Sequence, residues 1–277
     1  MRAPETLSKP SATDVMSMLS LSGKLALVTG GSQNFGEEIA IGMAEAGARV
    51  IITSRDPAKA EQGAAKMNGK FPGRFIGKTM DLRNEDSIAA LLASVRDEFG
   101  PLDILVNNAG GHSPEACGFL ERESLNGWNT FIETNLTGTF LMIREYARLM
   151  MPHRYGCIVN IASISSLLGR DRSVYPAGMT PNPIAYTAAK AGIIGLTYDA
   201  AAYLGAYGIR VNAVSPGGFE RTQPESFIQA YSARTMLGRM GRQGHDLKGA
   251  VVFLASEAAS YVTGHNLYVD AGFSRYK

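Results

Sequence analysis

Excess charge of one sign and long apolar runs are both missing from this sequence, and each absence argues against a class of partner. Its 277 residues include 27 lysines and arginines against 25 aspartates and glutamates, and the two signs are interleaved. Such a balance provides no basic surface of the kind that binds nucleic acid or an anionic membrane. No run of about 18 apolar residues occurs, so the sequence predicts no membrane-spanning helix.

Cysteine is also scarce. The two present, Cys117 and Cys157, match neither a metal site nor a redox pair, and no metal is expected. The first twenty residues are polar, include two prolines and lack the apolar centre of a signal peptide. We therefore predict a flexible N-terminal arm over 1–20, one folded domain over 21–277 and a cytoplasmic location.

Seven short, β-branched runs alternate with longer stretches of helical periodicity. The runs are mostly apolar on both faces, which is typical of parallel strands covered by helices on both sides. This alternation predicts βαβ units and one doubly wound, seven-stranded parallel sheet flanked by helices. The predicted strands are 24–30, 48–54, 74–81, 102–108, 157–163, 209–215 and 266–270.

A glycine-containing turn, Thr29–Gly36, joins the first predicted strand to the next helix. The free N–H groups and positive dipole of a helix N-terminus suit a pyrophosphate, and glycine lets the backbone approach it closely. An ordinary strand-to-helix turn would use similar residues. The strand before and the helix after are, however, the context that a dinucleotide-binding turn requires.

The end of the second predicted strand bears on the choice of dinucleotide. An acidic residue there would bind the ribose hydroxyls of NAD, whereas an arginine accommodates the 2′-phosphate of NADP. This strand ends in Ser54-Arg55, and Asp56 comes only afterwards. The pattern favours NADP over NAD; the alternative is that Arg55 only begins a solvated loop.

Tyr186 and Lys190, four residues apart at the start of a long helical stretch, form the most informative pair. They share one helix face, and a nearby positive charge stabilises a phenolate whose free phenol titrates near ~10. They are predicted to transfer a proton, although an exposed surface pair would show the same spacing. Ser163 ends the fifth strand, where its hydroxyl can donate to a carbonyl oxygen that gains negative charge. Ser165 and Ser166 are its rivals.

From Leu21 onward the chain resembles the short-chain dehydrogenase/reductase family. The resemblance implies a Rossmann fold and an NAD(P)-dependent oxidoreductase that moves a hydride between its cofactor and a small carbonyl compound or secondary alcohol. Tyr186 would exchange a proton with the substrate oxygen, Ser163 would steady that oxygen, and Lys190 would bind the ribose and lower the pKa of the tyrosine. Asn135 would hold a water that continues the proton path. The matching motifs are Thr29–Gly36, Asn107–Gly110, Thr134–Phe140, Ser163, Tyr186–Lys190, Ser215–Gly217 and Val269–Gly272.

The resemblance also implies a set of cofactor-binding residues. Asn34 stands where the family has its middle glycine, but Asn is the next best residue at positive φ, so the turn is expected to persist. Gln33 occupies a position where NADP-using relatives often add a second basic residue. The implied residues are Gly30, Ser32, Gln33, Asn34, Phe35, Gly36, Ser54, Arg55, Asp81, Leu82, Asn108, Ala109, Gly110, Tyr186, Lys190, Pro216 and Gly217.

Two segments are longer than is usual in that family: the insertion around 169–179 and the run from Pro216 to Thr222. Functional loops are often mounted on a rigid scaffold, so we expect these segments to form the substrate pocket and its lid. Their arginines suit an anionic, hydroxylated substrate such as a sugar acid, although each could instead lie on a solvated loop. The candidates for substrate contact are Tyr175, Arg172 and Arg221, with Arg170 and Arg234 as further basic residues. Tyr175 also competes with Tyr186 for the catalytic role.

The helix that begins with Tyr186 is rich in alanine and glycine. By the resemblance it would pair subunits in a homotetramer or homodimer, although packing within one subunit would use the same residues. Two rival functions remain. A reductase of 3-oxoacyl groups on acyl carrier protein would share every catalytic residue, whereas a non-catalytic dinucleotide sensor usually loses the tyrosine or the lysine.

Overall fold

Seven parallel strands form one sheet at the centre of the computed structural model, which describes residues 14–110 and 118–276. The strand order is β3-β2-β1-β4-β5-β6-β7. Each predicted strand is present, so the doubly wound Rossmann architecture is confirmed. The strands are β1 Leu25–Val28, β2 Arg49–Ser54, β3 Phe75–Thr79, β4 Ile104–Asn107, β5 Gly156–Ile161, β6 Ile209–Pro216 and β7 Asn266–Val269.

Helices cover both faces of this sheet. A single π-helical turn, Glu133–Thr137, joins α5 to α6 without a break. The helices are α1 Val15–Leu19, α2 Asn34–Glu45, α3 Pro57–Asn68, α4 Glu85–Phe99, α5 Leu125–Ile132, α6 Gly138–Met150, α7 Ile184–Leu204, α8 Glu225–Ser232 and α9 Lys248–Ala255.

Alternation along each strand divides the core between the two faces. Ala26 and Val28 of β1 pack in the cluster that includes α2 and α9, whereas Leu25 and Leu27 pack in the cluster that includes α4 and α6. All four side chains are buried. Replacing Leu27 by alanine would leave a cavity in a fully buried layer and would cost about 2–5 kcal/mol.

The order of the strands determines where a site can form. β1 pairs with β2 on one side and with β4 on the other. The connections that follow β1 and β3 therefore lead to opposite halves of the sheet. A crevice opens at such a reversal, outside the carboxyl ends of the strands. We call this side the carboxyl edge, and the opposite side the amino edge.

The predicted N-terminal arm is only partly described. Residues 1–13 and Cys117 lie outside the described residues. Residues 15–19 form the short helix α1, which is capped by the Asp14 carboxylate and packs near 257–259. Within 14–110 and 118–276, no helix is both long and apolar enough to cross a membrane.

Candidate active site

The glycine turn at the end of β1 has the backbone that the sequence predicts. Gly30 and Asn34 both adopt positive φ, 64° and 51°. A Cβ atom on Gly36 would lie 2.1 Å from the carbonyl oxygen of Gly30, so only glycine fits there. Gln33, the N-cap of α2, makes no side-chain hydrogen bond to the helix, which leaves the first N–H groups of α2 available to an anion.

Asn108 braces this turn from the end of β4. Its side-chain amide donates to the carbonyl oxygen of Thr29 at 3.0 Å. The Thr29 hydroxyl oxygen accepts in return from the backbone N–H groups of Asn108 at 3.0 Å and Ala109 at 2.9 Å. The two strand ends at the switch point are thereby held together.

The end of β2 and the first turns of α3 present two basic side chains to the crevice. Asp56 lines the crevice as well, and its Oδ1 atom accepts from the N–H groups of Ala58 and Lys59 and caps α3. Arg55 and Lys59 both line the crevice. Lys59 is not among the residues expected from the sequence, although the Asp-Pro pair at 56–57 is a helix-start signal that places Lys59 in the first turns of α3.

Ser163 lies directly after β5 and is buried. Its hydroxyl oxygen accepts from the Ser165 hydroxyl at 3.0 Å and the Ser165 N–H at 3.2 Å, and a further hydrogen bond joins it to the Tyr186 side chain. Ser166 is turned towards the backbone, where its hydroxyl donates to the Ser163 carbonyl oxygen at 2.6 Å. Of the three serines, Ser163 is the one that contacts the tyrosine, and Ser165 supports it.

Tyr186 and Lys190 occupy the first turns of α7 and face the crevice. The Tyr186 ring packs edge-on against Phe131, with the centroids 6.1 Å apart. The Lys190 ammonium lies 5.8 Å from the centroid of the Tyr186 ring and donates to the carbonyl oxygen of Ile161 at 2.7 Å. The lysine therefore connects α7 to the last residue of β5.

The pKa of Tyr186 shifts in the direction opposite to the one expected. Burial raises it, and the hydrogen bond from Ser163 and the positive charges of Arg170 and Arg221 oppose this only in part. Burial lowers the pKa of Lys190 to about 8, because an ammonium loses its hydration there. In the protein alone, the lysine is directed towards a carbonyl and the phenol remains protonated.

Asn135 lies within the π-helical turn between α5 and α6. It is 2% exposed, and its amide donates to the Phe131 carbonyl oxygen at 2.9 Å. A Cβ atom on Gly110 would lie 2.4 Å from its side-chain oxygen, so Asn135 abuts the end of the Asn107–Gly110 stretch. A π turn inserts an extra residue and redirects the side chains around it, and such turns are frequent at functional sites.

Two cavities meet at these residues. The first, the nucleotide cleft, is about 540 Å³, runs along the carboxyl edge and is lined by every residue that the sequence implied for cofactor binding. The second, the substrate-side cavity, is about 340 Å³. Their common lining is Ser163, Asn182, Tyr186, Pro216, Gly217 and Arg221. The serine and the tyrosine thus stand at the junction of two compartments.

Both of the long segments identified from the sequence line the substrate-side cavity. The insertion contributes Tyr175, which packs on Phe227 of α8 with centroids 5.2 Å apart. Tyr175 belongs to the aromatic wall and not to a helix that carries a lysine one turn later, so it does not share the arrangement of Tyr186 and Lys190. Tyr231 and Phe273 complete this wall.

The four arginines of these segments have different partners. Arg221 lines both cavities and Arg170 lines the second. Arg172 lines neither, because its guanidinium donates to the Gly118 carbonyl oxygen at 2.9 Å. Arg234 is paired with Asp171 at 2.5 Å. The structure therefore brings Arg221 to the site, and Arg170 as well, although the Arg170 guanidinium also donates to the Asn182 carbonyl oxygen. Arg172, expected to contact the substrate, lies outside both cavities and, with Arg234, fastens the insertion.

Several lining residues of the nucleotide cleft were not expected from the sequence. Most belong to strand ends and helix faces whose orientation depends on packing, and Phe131 becomes recognisable only through its contact with Tyr186. These residues are Thr53, Asp56, Lys59, Met80, Phe131, Thr134, Ile161, Ala162 and Asn182.

The chain is similar to known proteins in both sequence and structure. A family model described as enoyl-(acyl carrier protein) reductase matches residues 30–274. The 3-oxoacyl-acyl-carrier-protein reductase FabG of Vibrio cholerae is 36% identical over 92% of this chain and 98% of its own length. The (+)-borneol dehydrogenase 2 of Salvia officinalis is 34% identical over 92% of this chain and 91% of its own.

A solved structure is similar over the same extent. The gluconate 5-dehydrogenase from Burkholderia cenocepacia, in complex with NADP and tartrate, superposes with a TM-score of 0.86 at 31% sequence identity. The match covers 95% of this chain and all of the other.

Proposed function

Because this chain belongs to the short-chain dehydrogenase/reductase family, as an NAD(P)-dependent oxidoreductase acting on CH–OH groups, we propose that it exchanges a hydride between NADP and a small secondary alcohol or ketone of the sugar-acid class. One observation carries this proposal: Ser163 and Tyr186 lie at the junction of the nucleotide cleft and the substrate-side cavity.

The residues at the junction divide the chemistry among them. The bound cofactor supplies or accepts the hydride and, when oxidised, adds a positive charge. Tyr186 holds the proton that is exchanged with the substrate oxygen, and Ser163 donates a hydrogen bond to the same oxygen as negative charge develops on it. Because burial raises the pKa of Tyr186, the phenol is protonated at neutral pH and is ready to donate to a ketone. Lys190 and Asn135 are proposed to support this proton path, Lys190 by binding the nicotinamide ribose.

The preference for NADP is supported by charge at the adenosine end of the nucleotide cleft. Arg55 and Lys59 both line it there. Asp56 lines the cleft too, but its carboxylate already accepts two N–H groups of α3. A 2′-phosphate would meet two cations, whereas ribose hydroxyls would have to share this carboxylate with the helix cap. The similar gluconate 5-dehydrogenase was solved with NADP.

The choice of an anionic substrate is supported by charge in the substrate-side cavity. Arg170 and Arg221 line it and form no ion pair within the described part of the chain. Its described lining includes one acid, Asp171, which is paired with Arg234. The cavity is therefore positive, and a guanidinium can bind a carboxylate through two parallel hydrogen bonds.

A second candidate, reduction of 3-oxoacyl groups, is supported by a different observation. One wall of the substrate-side cavity is apolar, with Val174, Phe227, Met240 and Phe273 among its members. Such a wall suits an acyl chain or a terpenoid ketone. The relatives FabG and (+)-borneol dehydrogenase 2 carry names of those two kinds.

A substrate screen tests the proposal. Oxidation of NADPH and NADH would be followed with sugar-derived keto acids, with their uncharged amides, with 3-oxoacyl thioesters and with cyclic ketones. We expect the keto acids to have the highest kcat/KM, and Arg221→Ala to raise their KM about 10- to 100-fold, since a hydrogen-bonded charged group contributes about 1.5–3 kcal/mol. The amides should be little affected. Preference for the thioesters would favour the second candidate.

We also propose that the chain pairs through α7. This helix is mostly apolar and has no distinct polar face, yet Ala191, Gly195, Tyr198 and Ala202 are exposed along one stripe. A helix without a polar face is normally covered. Gly192, by contrast, packs inside the subunit on Leu136. A homodimer or homotetramer is the expected state, and size-exclusion chromatography with light scattering would measure it; the cytoplasmic location stays a prediction.

A further inference from the structure

The segment that follows β6, Gly218–Arg221, connects the substrate-side cavity to the glycine turn. We propose that the Tyr231 hydroxyl is a positioning group that fixes this segment and thereby the nicotinamide half of the bound cofactor. The inference rests on the proposed function in one respect, that the nicotinamide is bound at the junction of the two cavities.

Gly218 is held on two sides. Its N–H donates to the Tyr231 hydroxyl oxygen at 2.6 Å, and its carbonyl oxygen accepts from the N–H of Gly241 at 2.9 Å. A Cβ atom at this position would lie 2.6 Å from Cζ of Tyr231, so a larger residue would displace either the ring or the segment. Gly218 lies in the run that is longer than usual in the family, and the tyrosine is what holds it.

Tyr231 is itself firmly placed. It ends the buried face of α8, is 8% exposed, and stacks on Phe273 with centroids 4.5 Å apart and planes 16° apart. Burial raises its pKa, so the neutral phenol is the form present at physiological pH. Its oxygen accepts from the Gly218 N–H, which makes the hydroxyl an anchor for the backbone of this segment.

The anchored segment reaches the cofactor side of the molecule. Phe219 packs edge-on against Phe35 of the glycine turn, with centroids 4.8 Å apart. The Arg221 guanidinium lies 4.6 Å above the same Phe35 ring. Pro216 and Gly217, immediately before the anchor, line both cavities. A shift at Gly218 is therefore transmitted to the junction and leaves the end of the cleft at Arg55 untouched.

The test compares whole cofactors with fragments that lack only the nicotinamide. Binding of NADPH and ADP-ribose 2′-phosphate, and of NADH and ADP-ribose, would be measured by titration calorimetry in the wild type and in Tyr231→Phe. The variant keeps the ring stacking but leaves the Gly218 N–H without its acceptor. We expect the variant to weaken the binding of the whole cofactors about tenfold, which corresponds to about 1.4 kcal/mol, and that of the fragments less than about twofold.

A matched control separates positioning from general loosening. Tyr146→Phe also removes a buried phenol that hydrogen-bonds to backbone, at the amino edge. It should lower stability without changing the ratio of whole-cofactor to fragment affinity. If Tyr231→Phe weakens cofactor and fragment equally, or leaves both unchanged, the positioning role is wrong. These measurements need no substrate, so a failure of the sugar-acid assignment would not be mistaken for a failure of this inference.

A second variant covers the case in which Tyr231→Phe does not fold. Gly218→Ala brings a Cβ atom against the Tyr231 ring and displaces the same segment from the other side. It should reproduce the selective loss of whole-cofactor affinity. An unchanged ratio in a folded Gly218→Ala protein would equally overturn the proposal.

Discussion

The two edges of the sheet use the same kinds of side chain in opposite ways. At the amino edge, Tyr146 donates to the Asp103 carbonyl oxygen at 2.7 Å, and Lys24 lies 3.4 Å from the Asp103 carboxylate and 4.1 Å from the centroid of the Tyr155 ring. At the carboxyl edge, Lys190 is buried beside the half-buried Tyr186, and no acid in the described part of the chain forms an ion pair with the lysine. At the amino edge the polar groups contact one another, whereas at the carboxyl edge Tyr186 faces the two cavities and is available to a ligand.

The two lysines measure this difference. Burial tends to lower the pKa of Lys24, but its contacts with Tyr155 and Asp103 outweigh burial and raise it. Lys190 has no such compensation, and burial lowers its pKa to about 8. A perturbed pair in a cleft is typical of a functional site, whereas a satisfied pair at a strand end is typical of stability.

The largest expected effect comes from removing one hydroxyl at each edge. Tyr186→Phe should lower kcat about 10²- to 10⁴-fold, the usual contribution of a positioned acid or base, with cofactor affinity changed little. Tyr146→Phe should leave kcat unchanged and lower the free energy of unfolding by about 0.5–1.5 kcal/mol, since it removes a buried hydrogen bond while the Asp103 carbonyl and the Cys157 N–H stay bonded to each other. Steady-state kinetics and urea unfolding of both variants check this. Equal kcat in wild type and Tyr186→Phe would contradict the assignment of the active site.

The second prediction concerns the pH dependence of stability. The pKa of Lys190 falls from 10.5 to about 8 on folding, so between these pH values the unfolded chain binds more protons and the free energy of unfolding rises with pH. Over the whole interval the rise is about 3 kcal/mol. Lys24 has the opposite sign: its raised pKa stabilises the fold below its ordinary value, and this contribution is lost as pH rises through the folded-state pKa.

Urea unfolding between pH 7.5 and pH 10 would measure the Lys190 slope. Relative to the wild type, Lys190→Met should show a smaller rise of stability with pH, whereas the Lys24→Met curve should run parallel to the wild type, because the Lys24 contribution is lost only above its ordinary pKa of 10.5. The difference between Lys190→Met and the wild type isolates this lysine from the other groups that titrate in this range. Parallel curves for the wild type and Lys190→Met would mean that Lys190 keeps its ordinary pKa in the fold.

A third prediction uses an arginine from each end of one strand. Arg55 follows β2 at the carboxyl edge, and Arg49 begins β2 at the amino edge, with its guanidinium 5.3 Å from the centroid of the Phe99 ring. Arg55→Ala should raise KM for NADPH about 10- to 100-fold and leave NADH nearly unchanged, because it removes a charged contact to the 2′-phosphate. Arg49→Ala should change neither. Kinetics with both cofactors would show a lost preference for NADPH only in the first variant; an unaltered preference there would argue against NADP.

Much of this comparison could be predicted from the sequence. The strands could be predicted from runs such as Leu25–Val28. Apolar residues on both faces of a short run are typical of a parallel strand covered by helices on both sides. Local spacing along the chain likewise predicts the arrangement of the glycine turn Thr29–Gly36, of Ser163 after its strand, and of Tyr186 and Lys190 on one helix face. Residues at the ends of parallel strands converge at one edge whatever the details of packing.

Features that depend on distant partners could not be predicted. Arg172 and Arg221 look alike in sequence, and only the fold gives the first to Gly118 and the second to the junction. The π turn at Asn135 joins α5 to α6 without a break, so the sequence does not distinguish it from one continuous helix. The direction of the Tyr186 pKa shift depends on burial by elements far along the chain, which outweighs the nearby positive charges.

The smallest expected effect again has a partner at each edge. Asn34 in the glycine turn and Arg154 before β5 both adopt positive φ, 51° and 53°, without being glycine. Alanine tolerates this backbone less well than asparagine does, so Asn34→Ala should lower the free energy of unfolding by about 1 kcal/mol and weaken the cofactor severalfold, whereas Asn34→Gly should do neither. Arg154→Ala should lower stability but not cofactor affinity, because no cofactor approaches the amino edge. Urea unfolding of the three variants would measure the cost of backbone strain, and calorimetry would measure cofactor affinity. A loss of cofactor affinity in Arg154→Ala as large as that in Asn34→Ala would remove the distinction between the edges.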